Sequence, residues 1–291
     1  MTGTIAHVGP EIPQRLLRAT GRHAGAIAFD PDRATSAADR WMESKFAPWA
    51  KSILEGWACE EYIAHSHIVF SRADDSAQRL YYYICELQRR GLLSGPEPVI
   101  LDIAKVPRES SLAHTAQSLK KLADRLGVGV DDLVAAGAPS PHGVTDLERP
   151  VCLLAGTPPP DRRLHDAIET AGYGAAGATL VESWGLLDYA IDPALGDPFE
   201  TLARQVHVSP HGPRAFIDAG ANLISQIEVL GAAAAVLWQI EEDEAQAWHL
   251  PAQRAALERA GIPSLVLTRR DWLARDGAAE EIVAFLSGVG A

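Results

Sequence analysis

Side chains suited to chemistry gather at four places, each directly after a short apolar run. Ser71, Arg72, Asp74, Asp75 and Ser76 form the first group, and Gly156 with Thr157 the second. Glu182, Ser183 and Trp184 form the third. Trp238 and Gln239 open the fourth, followed by Glu241, Glu242, Asp243 and Glu244, then Trp248 and His249. Asp74, Asp75, Glu242 and His249 are of the types that move protons as general acids or bases. Ser71, Arg72, Ser76, Gly156, Thr157, Trp184, Trp238 and Gln239 offer hydrogen bonds, a cation, bare backbone and aromatic surface for holding a substrate. Asp74 and Asp243, with Asp75 and Glu242 beside them, would give Mg²⁺ or Mn²⁺ the hard oxygen ligands it prefers, provided the strand ends converge. Simpler roles compete for the same residues. Asp75 or Ser76 would cap a helix, and the 241–244 run would be a solvated acidic first turn.

These groups need elements to position them, and the sequence alternates strand and helix signals. Apolar runs at 67–71, 99–103, 151–155, 177–181, 233–238 and 264–267 read as strands. Helices are expected at 75–90, 111–126, 162–171 and 250–260. Along the first helix Ala77, Leu80, Tyr81, Ile84 and Leu87 recur at helical spacing and make an apolar face. Pro107 and Ser110 mark a helix start, and Gly261-Ile262-Pro263 a helix stop before a strand. The Gly-rich stretch 172–177 reads as a tight turn. Continuous apolar strands between amphipathic helices imply parallel sheets covered on both faces. The expected fold is α/β, with two Rossmann-like domains at 1–139 and 151–291 and a Gly/Pro/Ser-containing linker at 140–150. No internal repeat with a period of 20–50 residues is visible.

Several chemistries lack their signatures. There is no Gly-x-Gly-x-x-Gly after a strand, no phosphate-binding Gly-x-x-x-x-Gly-Lys, no His-Glu-x-x-His, no closely spaced cysteine pair and no nucleophile elbow. The 291 residues carry 38 acidic and 26 basic side chains, a formal charge of -12, which argues against a nucleic-acid binder. The apolar run at 229–238 is half a membrane span, and no secretory signal is visible near the start. The three cysteines, Cys59, Cys85 and Cys152, cannot all pair with one another, so a cytoplasmic setting is expected.

Segments along nearly the whole chain resemble, in order, the subunits of 2-hydroxyacyl-CoA dehydratases and benzoyl-CoA reductases. Residues 11–21 (EIPQRLLRATG) are similar to that family's Pro-Glu-Glu-Leu…Ala-x-Gly opening, and 46–54 (FAPWAKSIL) to its Cys-Pro-x-x-Arg-Ser segment. Residues 68–80 (IVFSRADDSAQRL) resemble its strand, Cys-Asp-Ser and helix, and 99–105 with Pro107 the strand after it. Residues 151–156 with 165–172 resemble its Gly-Ser/Thr-Pro loop and helix end. The last third matches through 233–239, Trp248-His249-Leu250-Pro251 and 260–267.

The resemblance implies two α/β domains per subunit, two related subunits, and a [4Fe-4S] cluster held by three cysteines. An activator would supply an electron that turns an acyl-CoA thioester into a ketyl radical. This sequence departs from the pattern at all three ligand positions. Ala47 stands at the first, Asp74 (or Ala73) at the second, and the third falls near Asp243, with no cysteine after Cys152. Three expectations follow. The chain is a non-cluster subunit shaping an acyl-CoA pocket beside a cysteine-bearing paralogue or in a homodimer. Alternatively, it is a repurposed enzyme using carboxylate, His or hard-metal chemistry in the cleft between its domains. The third is an acyl-CoA-binding regulatory module. Arg72, Lys105, Arg108 and Arg214 are candidate cations for the CoA group.

Overall fold

The computed structural model describes residues 3–137, 149–192, 196–212 and 215–289. Residues 140–148 of the expected linker, and Arg214, lie outside the described residues. The chain begins β1 (Thr4–Val8), α1 (Gln14–Arg18), β2 (His23–Ala26), α2 (Pro48–Ala58), β3 (His65–Ser71), α3 (Asp75–Arg89), β4 (Glu97–Leu101), α4 (Glu109–Leu126) and α5 (Val130–Ala135). It continues β5 (Val151–Gly156), α6 (Arg163–Thr170), β6 (Gly174–Ala176), α7 (Leu180–Ser183), α8 (Pro198–Val208) and α9 (Ala219–Leu230). The last elements are β7 (Ala232–Ile240), α10 (Glu244–Ala247), α11 (Leu250–Ala260), β8 (Ser264–Arg270) and α12 (Ala278–Val289).

These elements form two four-stranded, all-parallel sheets flanked by helices, ordered β2-β1-β3-β4 and β6-β5-β7-β8. The two α/β layers expected from the alternation are therefore present. Ile68, Val69, Phe70 and Ser71 of β3 are all fully buried, as a strand covered on both faces requires. On α3 the buried residues are Ala77, Leu80, Ile84 and Leu87, the expected stripe. Both sheets have the same strand order, a duplication at the level of fold that no short sequence period reveals.

The compact units are discontinuous in sequence. The first takes Met1–Ser140 with Val181–Phe216, and the second Pro141–Leu180 with Ile217–Ala291. The sequence division placed 181–216 in the second domain, but α8 buries Phe199, Leu202, Ala203 and Val206 in one cluster with Leu119, Leu122 and Ala123 of α4. Each fully buried large apolar side chain contributes about 1.5–3 kcal/mol, so this returning segment is part of the first core. No local sequence signal announces a chain that crosses back.

Two further expectations are corrected. The strand proposed at 177–181 lies earlier, at Gly174–Ala176, where it pairs with Val151, Cys152 and Leu153 of β5. Half of the supposed turn at 172–177 is thus edge strand, and Leu180–Ser183 is helical. The cap of α3 is Asp74 rather than Asp75 or Ser76; its Oδ1 accepts from the Ala77 amide at 2.7 Å.

Gly156 ends β5 with a φ of +102°, and a Cβ there would lie 2.3 Å from the Trp238 carbonyl oxygen. Because that neighbour is backbone, it cannot move aside cheaply. Gly156→Ala is expected to destabilise the protein by more than about 2 kcal/mol, adding strain at positive φ to the clash. A urea midpoint equal to that of the parent would contradict this close approach.

Candidate functional site

In each sheet the strand order reverses beside the first strand, between β1 and β3 and again between β5 and β7. Open parallel sheets bind ligands at the carboxyl ends of such strand pairs. Gly9 and Gly156 stand at equivalent places, just past β1 and at the end of β5.

In the first unit, buried polar groups crowd this edge. Glu11, two residues past Gly9, adopts left-handed backbone (φ 65°), uncommon for a non-glycine residue and shared among the described residues with Glu60, Arg269 and Ala274. Its Oε1 accepts from Lys105 Nζ at 2.8 Å, and both side chains are almost wholly enclosed, at 0% and 3% exposure. Lys105 Nζ also donates to the Ser209 carbonyl at 3.2 Å. Burial lifts the Glu11 carboxyl to about 7, and neighbouring Lys105 limits the rise. His211 is held below its ordinary range by burial and then by the Lys105 charge.

Next to this pair lies a second polar cluster. His7 of β1 is fully buried, with Nδ1 3.2 Å from His23 Nε2 and Nε2 3.3 Å from the Gln14 amide nitrogen. Gln14 donates to the Ile12 carbonyl at 2.9 Å and the Trp184 carbonyl at 3.2 Å. Burial, then the neighbouring His23, pushes His7 down to about 3, and burial with the Arg18 charge pushes His23 to about 4. Both rings are therefore neutral at pH 7 and share one proton along their contact.

An open pocket of about 380 Å³ lies where β4 passes into α4, lined by Arg72, Asp102, Arg108, Ser110, Ser111 and His114. Asp102 accepts from Arg72 Nη1 at 2.5 Å and stands 3.0 Å from His114 Nε2.

The sequence-derived site residues divide between the two units. In the first, Ser71 is buried and its Oγ accepts from the Ala73 amide at 3.1 Å. Arg72 reaches the pocket, Asp74 caps α3, Asp75 is exposed in its first turn and Ser76 is half-buried. Trp184 is buried edge-on to Trp49, with ring centroids 5.2 Å apart, and not at a strand end. In the second unit, the Thr157 amide donates to the Trp238 carbonyl, and Thr157 Oγ1 donates to Asp243 Oδ2, both at 2.8 Å. Asp243 also accepts from the Gln246 amide, and burial raises its carboxyl above the usual range. Gln239 is buried and donates to the Gln246 carbonyl; Trp238 is wholly buried. Glu242 is exposed, and His249 is half-buried where α11 starts.

The donors at the positions that the resemblance sets against cluster ligands do not fit a [4Fe-4S] cluster. Ala47 has no ligating atom and stands before Pro48 at the start of α2. Asp74 and Asp243 are hard carboxylates, each engaged within its own unit. Cys59 is exposed at the end of α2, Cys85 lies within α3, and Cys152 is buried in β5, where burial pushes its thiol up to about 12. A cluster needs accessible thiolates, which these positions do not provide together. Among the described residues, no group of three or more His, Cys, Asp or Glu is arranged to hold a metal ion.

Sequence reasoning missed Glu11, His7, His23, Gln14, Asp102, His114 and Ser209. The available signal was Gly9-Pro10-Glu11 after Ile5-Ala6-His7-Val8, a short run that reads as a strand only once His7 is accepted as a core residue. No protein-family model matches the chain, and no curated protein is significantly similar to it in sequence.

Proposed function

We propose that this chain is a non-cluster subunit of a 2-hydroxyacyl-CoA dehydratase- or benzoyl-CoA reductase-like complex. The carboxyl edge of its first sheet would seat the acyl-CoA, and a cysteine-bearing paralogue would hold the iron–sulfur cluster. The observation that carries this reading is the buried Glu11–Lys105 pair, whose Glu11 stands on left-handed backbone just past β1, beside the strand-order reversal. A buried ion pair is on balance neutral or unfavourable for stability compared with apolar packing. Its concentration, with neutral His7 and His23, where ligands of such sheets bind is better explained by ligand recognition than by folding. The resembling segments 68–80, 99–105, 151–156, 233–239 and 260–267 fall on strands and their following turns or helices, which also supports the reading. Co-expression with a cysteine-bearing paralogue is expected to give a complex that survives gel filtration. A stable lone monomer with no affinity for such a chain would refute the subunit role.

An enzymatic alternative draws support from Glu11 alone. A carboxyl near 7 is matched to general acid–base work at neutral pH. That alternative requires turnover by the isolated chain, with a pH profile that loses its limb near 7 in Glu11→Gln.

A further inference from the structure

We infer that the pocket at the start of α4 binds a phosphoryl group carried by a small organic molecule. Two segments bring donors to it, Arg72 from the end of β3 and Arg108, Ser110, Ser111 and His114 from the start of α4, while Asp102 from the end of β4 lines it as an acceptor. Asp102 contacts both Arg72 and His114, and so orients a guanidinium and an imidazole toward one space. Ser111 is 4% exposed, and its Oγ accepts from Arg108 Nε at 3.2 Å, which holds the second guanidinium over the first turn.

Arg108 occupies the N-cap position of this 18-residue helix in extended conformation, with no side-chain cap hydrogen bond. A guanidinium cannot accept from the first-turn amides, and its charge opposes the positive end of the helix dipole. An anion seated between them would relieve both defects. Of the lining residues the carboxylate is Asp102, already engaged by Arg72 and His114, and Glu109 stands in the first turn of the helix. Forked guanidinium donors, hydroxyls and helix amides suit the several oxygens of a phosphoryl group better than the two of a carboxylate. A volume of about 380 Å³ is in the range of small-molecule sites, and Ile103 and Ala104 line it for the rest of the ligand.

This inference rests on the acyl-CoA reading, since a CoA ester presents such groups, and it names the part of the ligand the pocket takes. The test is calorimetry on the full chain with adenosine 3′,5′-bisphosphate and with inorganic phosphate as probes. The bisphosphate is expected to bind at least tenfold tighter than phosphate, and to weaken at least tenfold in Arg108→Gln and in Ser110→Asp. Ser110 is exposed at the second position of α4, where a carboxylate favours the helix but repels an anion. Ser110→Asp should therefore keep or raise the unfolding midpoint while losing the ligand. Unchanged affinity in both variants, or no saturable binding at about 10 mM of either probe, would overturn the site. Equal affinity for both probes would overturn the esterified ligand in favour of free phosphate. An acyl-CoA that binds the parent and Ser110→Asp equally would remove the pocket but leave the acyl-CoA reading. Bisphosphate binding lost in Ser110→Asp, beside no acyl-CoA binding, would do the reverse.

Discussion

Glu11→Met is expected to destabilise the protein by about 3–5 kcal/mol, the usual cost of stranding one member of a buried ion pair. Lys105 Nζ, at 3% exposure, would then lose its carboxylate partner and keep, among the described residues, the Ser209 carbonyl at 3.2 Å. Methionine is chosen because it leaves the left-handed backbone at position 11 bearing a side chain, so the two proteins carry similar backbone strain. Lys105→Met is expected to cost less, because the orphaned Glu11 escapes its charge by taking a proton. Its stability should accordingly fall as pH rises. The double variant should recover most of the loss, since two flexible apolar side chains can fill the same volume without desolvating a charge. Urea unfolding of the four proteins measures the coupling directly. Additive losses in the double variant would mean that Glu11 and Lys105 do not act as a pair.

The second large effect is a loss of stability in acid. His7 and His23 have folded values of about 3 and 4 against an ordinary 6.5, so the folded protein binds fewer protons than the unfolded chain. Their contribution is present above pH 6.5 and is lost as pH falls toward those values. Between pH 7 and pH 5 the loss is about 2 kcal/mol for His7 and somewhat less for the partly exposed His23. Glu11 works the other way. Its folded value of about 7 exceeds the ordinary 4.5, so the folded state gains roughly 2 kcal/mol over the same acidification. The parent should thus lose about one histidine's worth of stability between pH 7 and pH 5. His23→Gln should flatten that dependence, because an amide does not titrate. A His23→Gln protein with the parent's pH dependence would show that the imidazole pair is not the acid-sensitive element.

Much of the architecture is legible in the residues. Continuous burial on β3 and β7 follows from their apolar runs, and the stripe on α3 from its spacing. Legibility fails where a strand is short or polar. β1 holds only Ile5 and Val8 as large apolar residues around His7, yet it is a central strand of the first sheet. Because that strand goes unrecognised, the residues after it, Glu11 and Gln14, are not weighed as site candidates. Groups after the recognised strands fare differently. Thr157 and Asp243, 86 positions apart in sequence, meet in a hydrogen bond, whereas Trp184 belongs to a core. Asp74 acts as a helix cap, a role that its neighbours were expected to share and that a single sequence cannot assign to one residue among three adjacent acceptors. The return of 181–216 to the first unit is a tertiary fact, set by which core has room for Phe199 and Leu202.

The positions that the resemblance sets against cluster ligands, Ala47, Asp74 and Asp243, have plain structural roles. Asp74 and Asp243 are working helix caps, each accepting from a backbone amide in its own unit. The central claim of the proposed function is that the chain binds an acyl-CoA thioester. Its most direct test is calorimetric titration of the full chain with a panel of aromatic and 2-hydroxyacyl-CoA esters. At least one ester should bind saturably below about 1 mM, with affinity falling as salt is added. No heat of binding from any ester at millimolar concentration would contradict the claim.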